Sequence, residues 1–271
     1  MLRVATYNVR GLRDDRAALV RVIRSMRPDV LCLQEVPRFS GWRAKRRRLA
    51  RDTGMTVAAG GRVGGVAVFA GPGVRVLHGR GVRLRWFPGL EWRAVALAVV
   101  EKDGVRYAVC SAHLDLLPGA RLRHATQIVP ILERTARTFG ARAVLAGDVN
   151  EQPGDPTWRY LAGRFTDCFS CHAASSASSA SSGASGASGA SGASPADPAD
   201  PREGGTFTAA DPARRIDAIF AEAGLAVLTC GGAQAAAEDL RRASDHLPVV
   251  ADIGPGHLVR SRPRIASGSE S

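Results

Sequence analysis

Read from its residues alone, the chain is an α/β protein in which mixed β-sheets pack face to face with helices outside. Its opening stretch reads β-α-β-α, its middle reads as hairpins, and its 45% hydrophobic content is enough for a substantial core. Strict βα alternation would build a doubly wound parallel sheet. Interposed hairpins require antiparallel pairing as well, and so a mixed arrangement.

Leu2–Asn8 reads as the first strand. Asp14 and Asp15 then cap a helix whose apolar residues Leu19, Val22, Ile23 and Met26 follow helical spacing. Pro28-Asp29 ends it, and 30–33 is a continuous apolar run, the pattern of a strand buried on both faces. A second helix is expected over Trp42–Asp52, closed by Gly54. Within 57–70, the glycine-rich segment 60–65 joins two strand-like runs, which predicts a hairpin. Strands follow at 92–100 and 105–113, joined by a turn at Asp103-Gly104. A helix over 121–139 ends at Gly140, and further strands are expected at 143–146, 216–220, 225–230 and 247–253.

The Ser/Ala/Gly-rich stretch 173–205 is expected to be an unstructured loop inserted into a single domain spanning 1–255, with 256–271 as a flexible tail. The runs on either side of the insertion carry complementary parts of one site, which argues against a domain linker. No apolar run approaches the roughly 20 residues needed to cross a bilayer, and no export signal is evident, so a cytoplasmic monomer is expected. Five cysteines, an odd number, are expected to be free thiols. Cys168-Phe-Ser-Cys171-His172 matches the c-type haem attachment spacing. It is read as a chance match, because attachment requires export and the motif abuts the low-complexity stretch.

Lys plus Arg is 37 against 25 Asp plus Glu, a net charge of +12, and only Lys45 and Lys102 are lysines. Guanidinium presents a planar fork of donors that suits phosphate oxygens. A GC-rich coding bias explains Arg over Lys equally well, but explains the excess of positive charge less well. The implied partner is polyanionic: nucleic acid, an anionic lipid surface or a phosphorylated metabolite.

Acidic, amide and imidazole residues recur at strand ends. Asn8 ends the first strand, Glu35 follows the second and His113 ends the 107–112 run. Asp148 and Asn150 follow 143–146, Asp217 lies in 215–219, and Asp245-His246 precede the last strand. Any one of them alone is an ordinary turn or cap former. In packed sheets such ends converge on one rim, where loops carry function on a rigid scaffold. Together they offer hard oxygen ligands for Mg²⁺ or Mn²⁺, amides to hold an oxyanion and two histidines for proton transfer.

Thr6-Tyr-Asn-Val-Arg10, Leu33-Gln-Glu-Val36, Ser111-Ala-His-Leu114, Gly147-Asp-Val-Asn150, Arg215-Ile-Asp-Ala-Ile219 and Ser244-Asp-His-Leu-Pro248 occur in that order. In these motifs the chain resembles the endonuclease/exonuclease/phosphatase superfamily, relatives of deoxyribonuclease I, exonuclease III and neutral sphingomyelinase, over Leu2 to Ile253. The resemblance implies a deoxyribonuclease I-like four-layer sandwich of two mixed sheets flanked by helices. It implies Glu35 as principal metal ligand with Asn8 and Asp245, His246 as the base that activates water, and Asp217 as its carboxylate partner. Asp148 and Asn150 match the pair that positions the nucleophile and phosphoryl oxygens. His113 matches the group that protonates the leaving alkoxide, and Glu91 is placed as its carboxylate partner.

The implied reaction is in-line attack of water on a phosphodiester, with a Mg²⁺- or Mn²⁺-dependent nuclease acting on DNA or RNA as the leading reading. The alternative is a phosphatase or phosphodiesterase for phospholipid headgroups, inositol phosphates or other phosphorylated small molecules. Among weaker signals, the basic run 43–48 is read as a solvated helix face. Trp86-Phe87, flanked by basic residues, suits base stacking or lipid contact, with core packing preferred. The 60–65 glycines lack the Gly-Lys-Ser/Thr of a phosphate loop.

Overall fold

The computed structural model describes residues 1–182 and 204–256. The N-terminal half runs β1 (Leu2–Asn8), α1 (Arg16–Met26), β2 (Val30–Gln34), α2 (Trp42–Asp52), β3 (Thr56–Ala59), β4 (Ala67–Ala70), β5 (Arg75–Arg83), β6 (Ala94–Lys102) and β7 (Val105–His113). It continues with α3 (Pro118–Phe139), β8 (Arg142–Asp148), α4 (Pro156–Ala162), β9 (Thr166–Asp167) and α5 (Cys168–Ser182). The remainder is β10 (Asp217–Ala221), β11 (Leu225–Gly232), α6 (Ala237–Ala243) and β12 (Val249–Pro255). Two six-stranded sheets result, ordered β11-β12-β1-β2-β4-β3 and β5-β6-β7-β8-β10-β9. Both are mixed: β1 and β2, and β7 and β8, pair in parallel, and the other pairs are antiparallel.

Strand alternation divides the apolar residues among three cores. Val4, Val30, Cys32 and Val68 of the first sheet meet Ala98, Val100, Val109 and Val144 of the second in the central layer. The opposite faces are also apolar, as strands covered on both sides require. Tyr7, Leu31, Leu33 and Phe69 lie beneath Leu19, Val22 and Ile23 of α1 and Leu49 of α2. Leu97, Val99 and Cys110 lie beneath Ile128, Val129 and Leu132 of α3 and Trp158 of α4. The order is therefore helices, sheet, sheet, helices. No helix of the described residues is long and apolar enough to cross a membrane.

Most elements form where the pattern places them. Asp15 caps α1, accepting from the Ala17 and Ala18 amides at 2.8 and 3.0 Å, while Asp14 instead pairs with Arg10 at 3.3 Å. α2 and β7 have the expected bounds. α3 starts earlier than expected, because Pro118 enters its first turn, where the missing N–H leaves nothing unpaired.

Three departures have physical causes. β5 was not anticipated because Arg75-Val-Leu-His-Gly-Arg-Gly-Val-Arg83 lacks apolar alternation. It is an edge strand with exposed arginines, which also deter edge-to-edge pairing. α4 and α6, at seven residues each, are too short to show a helical period. The expected loop over 173–205 is corrected at its start: 173–182 continue α5, which begins at buried Cys168 and packs on β10 and β11. Asp167 accepts from the Phe169 amide at 3.1 Å at the start of the helix, and the alanines interspersed among the serines that follow favour its continuation. Residues 183–203 of that expected loop, and 257–271 of the expected tail, lie outside the described residues. All five cysteines are free, Cys168 lying in the central core.

Gly147 fits only as glycine. Its φ is 154°, and a Cβ would collide with the Ala112 carbonyl oxygen on β7. Gly147→Ala should therefore destabilise the protein by about 1–3 kcal/mol in chemical denaturation; stability equal to that of the parent would show that β7 and β8 are not this tightly apposed.

Candidate active site

Strand direction assembles the site. Parallel pairing aligns Asn8 with Gln34, the residue before Glu35, and His113 with Asp148, so four C-terminal strand ends reach one rim. β10 runs antiparallel to β8 with Asp217 opposite Asp148, which brings its N-terminal end to the same rim. β12 is antiparallel to β1, so the segment preceding it, Asp245-His246, returns beside Asn8. Stacking of the two sheets then closes the gap between the halves.

The Asn8 side-chain amide is the hub. Its Nδ2 donates to Asp148 Oδ2 at 3.0 Å and to Glu35 Oε1 at 3.2 Å, and lies 3.4 Å from His246 Nε2. His246 Nδ1 meets Asp217 Oδ2 at 2.9 Å. Asp148 Oδ2 is 3.4 Å from His113 Nε2 and 3.8 Å from His246 Nε2. Asp148 Oδ1 accepts from the Asn150 amide at 3.0 Å, and Asn150 Nδ2 donates to the Leu114 carbonyl at 3.1 Å. Asp245 pairs with Arg10 at 3.2 Å. Glu35, His113, Asp148, Asn150, Asp245 and His246 line an open cleft of about 970 Å³. Asp217 is buried behind His246. Phe207 packs on the imidazole, with ring centroids 4.8 Å apart.

Backbone conformation is strained around this rim. Among the described residues six non-glycine positions have positive φ, and four of them, Arg10, Leu12, Glu35 and Asn150, flank the site. Such conformations persist where surrounding contacts over-determine them, and they concentrate at functional sites. The Glu35 carbonyl accepts from the Gly11 amide at 2.8 Å, and the next amide, Val36, donates to the Gly65 carbonyl at 2.9 Å.

The two histidines are driven in opposite directions. Burial pushes His113 down to about 4, outweighing the opposing pull of Asp148 and reinforced by Arg93. Burial also opposes charge on His246, but Asp217, by charge and hydrogen bond, together with Asp148 and Asp245 raises it to about 9. Asp148 is raised by burial and by Asp217, partly offset by both histidines and Asn8. In the metal-free site, His246 is therefore the protonated imidazole and His113 the neutral one at neutral pH.

Asp148, Asp217 and His246 offer ligand atoms within 4.8 Å of one another. Their geometry is that of a hydrogen-bonded relay, with His246 Nδ1 engaged by Asp217. The residues that face the cleft nevertheless fit a hard divalent cation. Their donors are carboxylate oxygens, and the buried negative charge that raises Asp148 lacks a full counter-charge.

Every site residue expected from the sequence except one joins this cluster. The exception is Glu91, expected beside His113. It lies on the exposed loop before β6, and its carboxylate reaches across the mouth to Arg38 at 2.7 Å. The carboxylate beside His113 is Asp148. The basic run 43–48 also holds a correction. Arg46 is only 2% exposed, donating to the Pro37 and Gly61 carbonyls at 2.9 Å each and to Val66 at 3.3 Å, and burial lowers it to about 10. It ties the loop after Glu35 to the glycine-rich loop. Sequence reasoning also missed the buried Arg93–Asp115 pair at 3.5 Å beside His113. Arg121 likewise donates to Glu151 at 2.8 Å and to the Asp115 and Leu116 carbonyls at 3.1 Å each, joining the loops after β7 and β8. No local sequence signal distinguishes these arginines from solvent-facing ones.

The sequence profile of the Endonuclease/Exonuclease/phosphatase family matches residues 5–246. The chain belongs to this family. Its members hydrolyse phosphoester bonds in a metal-dependent reaction, so the protein is a phosphoesterase. Its structure is similar to an endonuclease/exonuclease/phosphatase from Bacteroides vulgatus (TM-score 0.70, 18% identity, 94% of this chain and 98% of that one). It is also similar to a mannosyl-6-phosphatase from Bacteroides thetaiotaomicron VPI-5482 (0.69, 17%, 94% and 100%). A third similar structure is the human Nocturnin catalytic domain with bound sulfate (0.66, 17%, 94% and 94%). At these identities the likeness is one of fold. No match was found among curated proteins compared by sequence.

Two measurements check this account. A raised His246 stabilises the metal-free protein fully below its unfolded value near 6.5, and that contribution is lost as pH rises through about 9. Denaturation stability should fall across that window, and His246→Gln should flatten the slope. Replacing Glu91 by Gln should cost less than about tenfold in kcat, against about 10²–10⁴-fold for a general base. A loss of the larger size would restore Glu91 to the machinery.

Proposed function

We propose that this phosphoesterase is a divalent-metal-dependent nuclease, hydrolysing DNA or RNA phosphodiesters by in-line attack of water. The observation that carries the reaction is the His246–Asp217 hydrogen bond of 2.9 Å, with the other imidazole nitrogen turned toward Asn8 and Asp148 at the cleft. His246 acts in its neutral form, reached when cationic charge in the cleft offsets the carboxylates that raise it in the metal-free site. Asp217 then holds the tautomer that leaves Nε2 to take the proton of the attacking water, and stabilises the imidazolium that forms. Asp148 and Asn150 orient that water and the phosphoryl group. His113, held neutral, donates a hydrogen bond toward the departing oxygen. Glu35 and Asp245 would hold Mg²⁺ or Mn²⁺, with Asn8 joining through its Oδ1, which here accepts from the Arg10 amide at 3.1 Å. When bound, the ion supplies neutralisation of charge on the phosphoryl and leaving oxygens.

The nucleic-acid reading is supported by Arg13, Arg38, Lys45, Arg93 and Arg214 lining the cleft of a chain with net charge +12. The same reading has the enzyme acting as a cytoplasmic monomer. The second reading, a phosphatase or phosphodiesterase of phospholipid headgroups, inositol phosphates or other small phosphoesters, is favoured by how deeply His113, Asp148 and His246 are buried. One structural neighbour is a mannosyl-6-phosphatase.

A metal-dependent panel of plasmid, single-stranded DNA, RNA, inositol phosphates and sphingomyelin separates them. Nucleic-acid cleavage lost in Glu35→Ala, with affinity falling steeply as salt rises, is the expected outcome. Hydrolysis confined to small phosphoesters with little salt dependence would replace the nuclease reading by the second.

A further inference from the structure

Large exposed apolar side chains gather at the mouth of the cleft. Trp86 is 42% exposed and Trp92 52%, and both stand on the loop whose residues Gly89, Leu90 and Glu91 line the cleft. Core packing, the preferred sequence reading of Trp86-Phe87, is therefore overturned for Trp86, and Phe87 is only half-buried. Phe87 turns inward onto His124, with ring centroids 5.4 Å apart. The two indoles stack on each other, centroids 5.5 Å apart and planes 16° from parallel. The Trp86 N–H donates to the Leu90 carbonyl at 3.0 Å, so the ring carries no unmet polar demand.

This loop is braced. The Arg85 amide donates to Gln127 at 2.9 Å, the Arg85 carbonyl meets His124 at 2.9 Å, and the Leu84 amide donates to the Arg93 carbonyl at 3.0 Å. A ring pair already held in place loses little freedom on binding a flat ligand. Arg85 precedes Trp86, with its guanidinium 5.8 Å from the Phe87 ring centroid, and Lys45 lines the cleft.

We propose that Trp86 and Trp92 form a stacking platform for unpaired bases of a single-stranded nucleic acid whose backbone crosses the cleft; this rests on the nucleic-acid reading above and makes it specific to single strands. Indole faces accept any base, because every base presents a π face. In a duplex, base faces are already stacked on each other, and the reacting imidazoles lie below the rim, where a flexible strand reaches more readily than a stiff helix. The other source of demand for exposed tryptophans, a lipid surface, fits less well. Glu91 sits between Leu90 and Trp92 and pairs with Arg38, so inserting the loop into lipid would carry a carboxylate with it.

The test is binding of a fluorescein-labelled oligothymidylate, its duplex form and an abasic strand of equal length to the full chain in EDTA, where no cleavage occurs. The oligothymidylate should bind at least about tenfold more tightly than the abasic strand and the duplex. Trp86→Ala/Trp92→Ala should lose that advantage, whereas Trp86→Phe/Trp92→Phe should keep most of it; thermal melts establish that each variant is folded. Equal affinity of the parent and the folded double-alanine variant for the oligothymidylate would overturn the platform. So would loss of phosphatidylserine-vesicle binding, with oligothymidylate binding unaffected, in that variant. Failure of the nuclease reading is seen separately, as ring-dependent binding without cleavage when Mg²⁺ or Mn²⁺ is supplied.

Discussion

Asp148 and Asp217 face each other across an antiparallel strand pair, almost wholly removed from water. Placing two carboxylates there is unfavourable unless neighbours answer the charge, since a buried group must be paired or neutralised. The rest of the site reads as that answer. Asn8 donates to Asp148, His246 turns its Nδ1 to Asp217, and His113 approaches Asp148 from the next strand. Because the neighbours come from both sheets, the charge constraint also sets how the two halves must meet. It is the same constraint that drives the two histidines apart, His113 pushed down by burial and His246 raised by three carboxylates.

Around this buried cluster the rim loops are held by guanidinium groups rather than by apolar packing. Arg46 binds three backbone carbonyls beneath the loop that follows Glu35, and Arg121 binds two beneath the loop that follows His113. A loop carries backbone polar groups that an apolar neighbour would leave unpaired. Arginine, with five donors on a long stem, satisfies several carbonyls from one position. That bracing lets Glu35 and Asn150 keep left-handed backbone conformations that only Gly adopts readily. Part of the arginine excess is therefore structural, and not all of the net charge is available to a polyanion.

The mouth of the cleft follows a different logic from its floor. The floor is polar, buried and crossed by hydrogen bonds from both sheets. The mouth is a set of loops bearing exposed rings and cations, where side chains can vary without disturbing the strand ends beneath. In the proposed function, chemistry belongs to the floor and substrate choice to the mouth, in keeping with a family whose members share a fold while acting on different phosphoesters.

The linear sequence determined most of the strands, the main helices and nearly all of the candidate site residues, because strand burial leaves a local apolar signature and the motifs sit at the ends of those runs. Asn8, Glu35, Asp148 and His246 could be singled out for that reason. Partnership was another matter. Glu91 was assigned to His113 from its place along the chain, yet its carboxylate crosses the mouth to Arg38, and Asp148 takes its place. Arg46 sits in a basic run and is buried, while Trp86 sits beside a packed Phe87 and is exposed. Which way a loop side chain turns depends on residues distant in sequence that tertiary folding brings beside it, and no local periodicity encodes that. The edge strand β5 and the seven-residue helices were likewise decided by pairing and packing, since neither buries enough apolar surface to mark itself in the sequence.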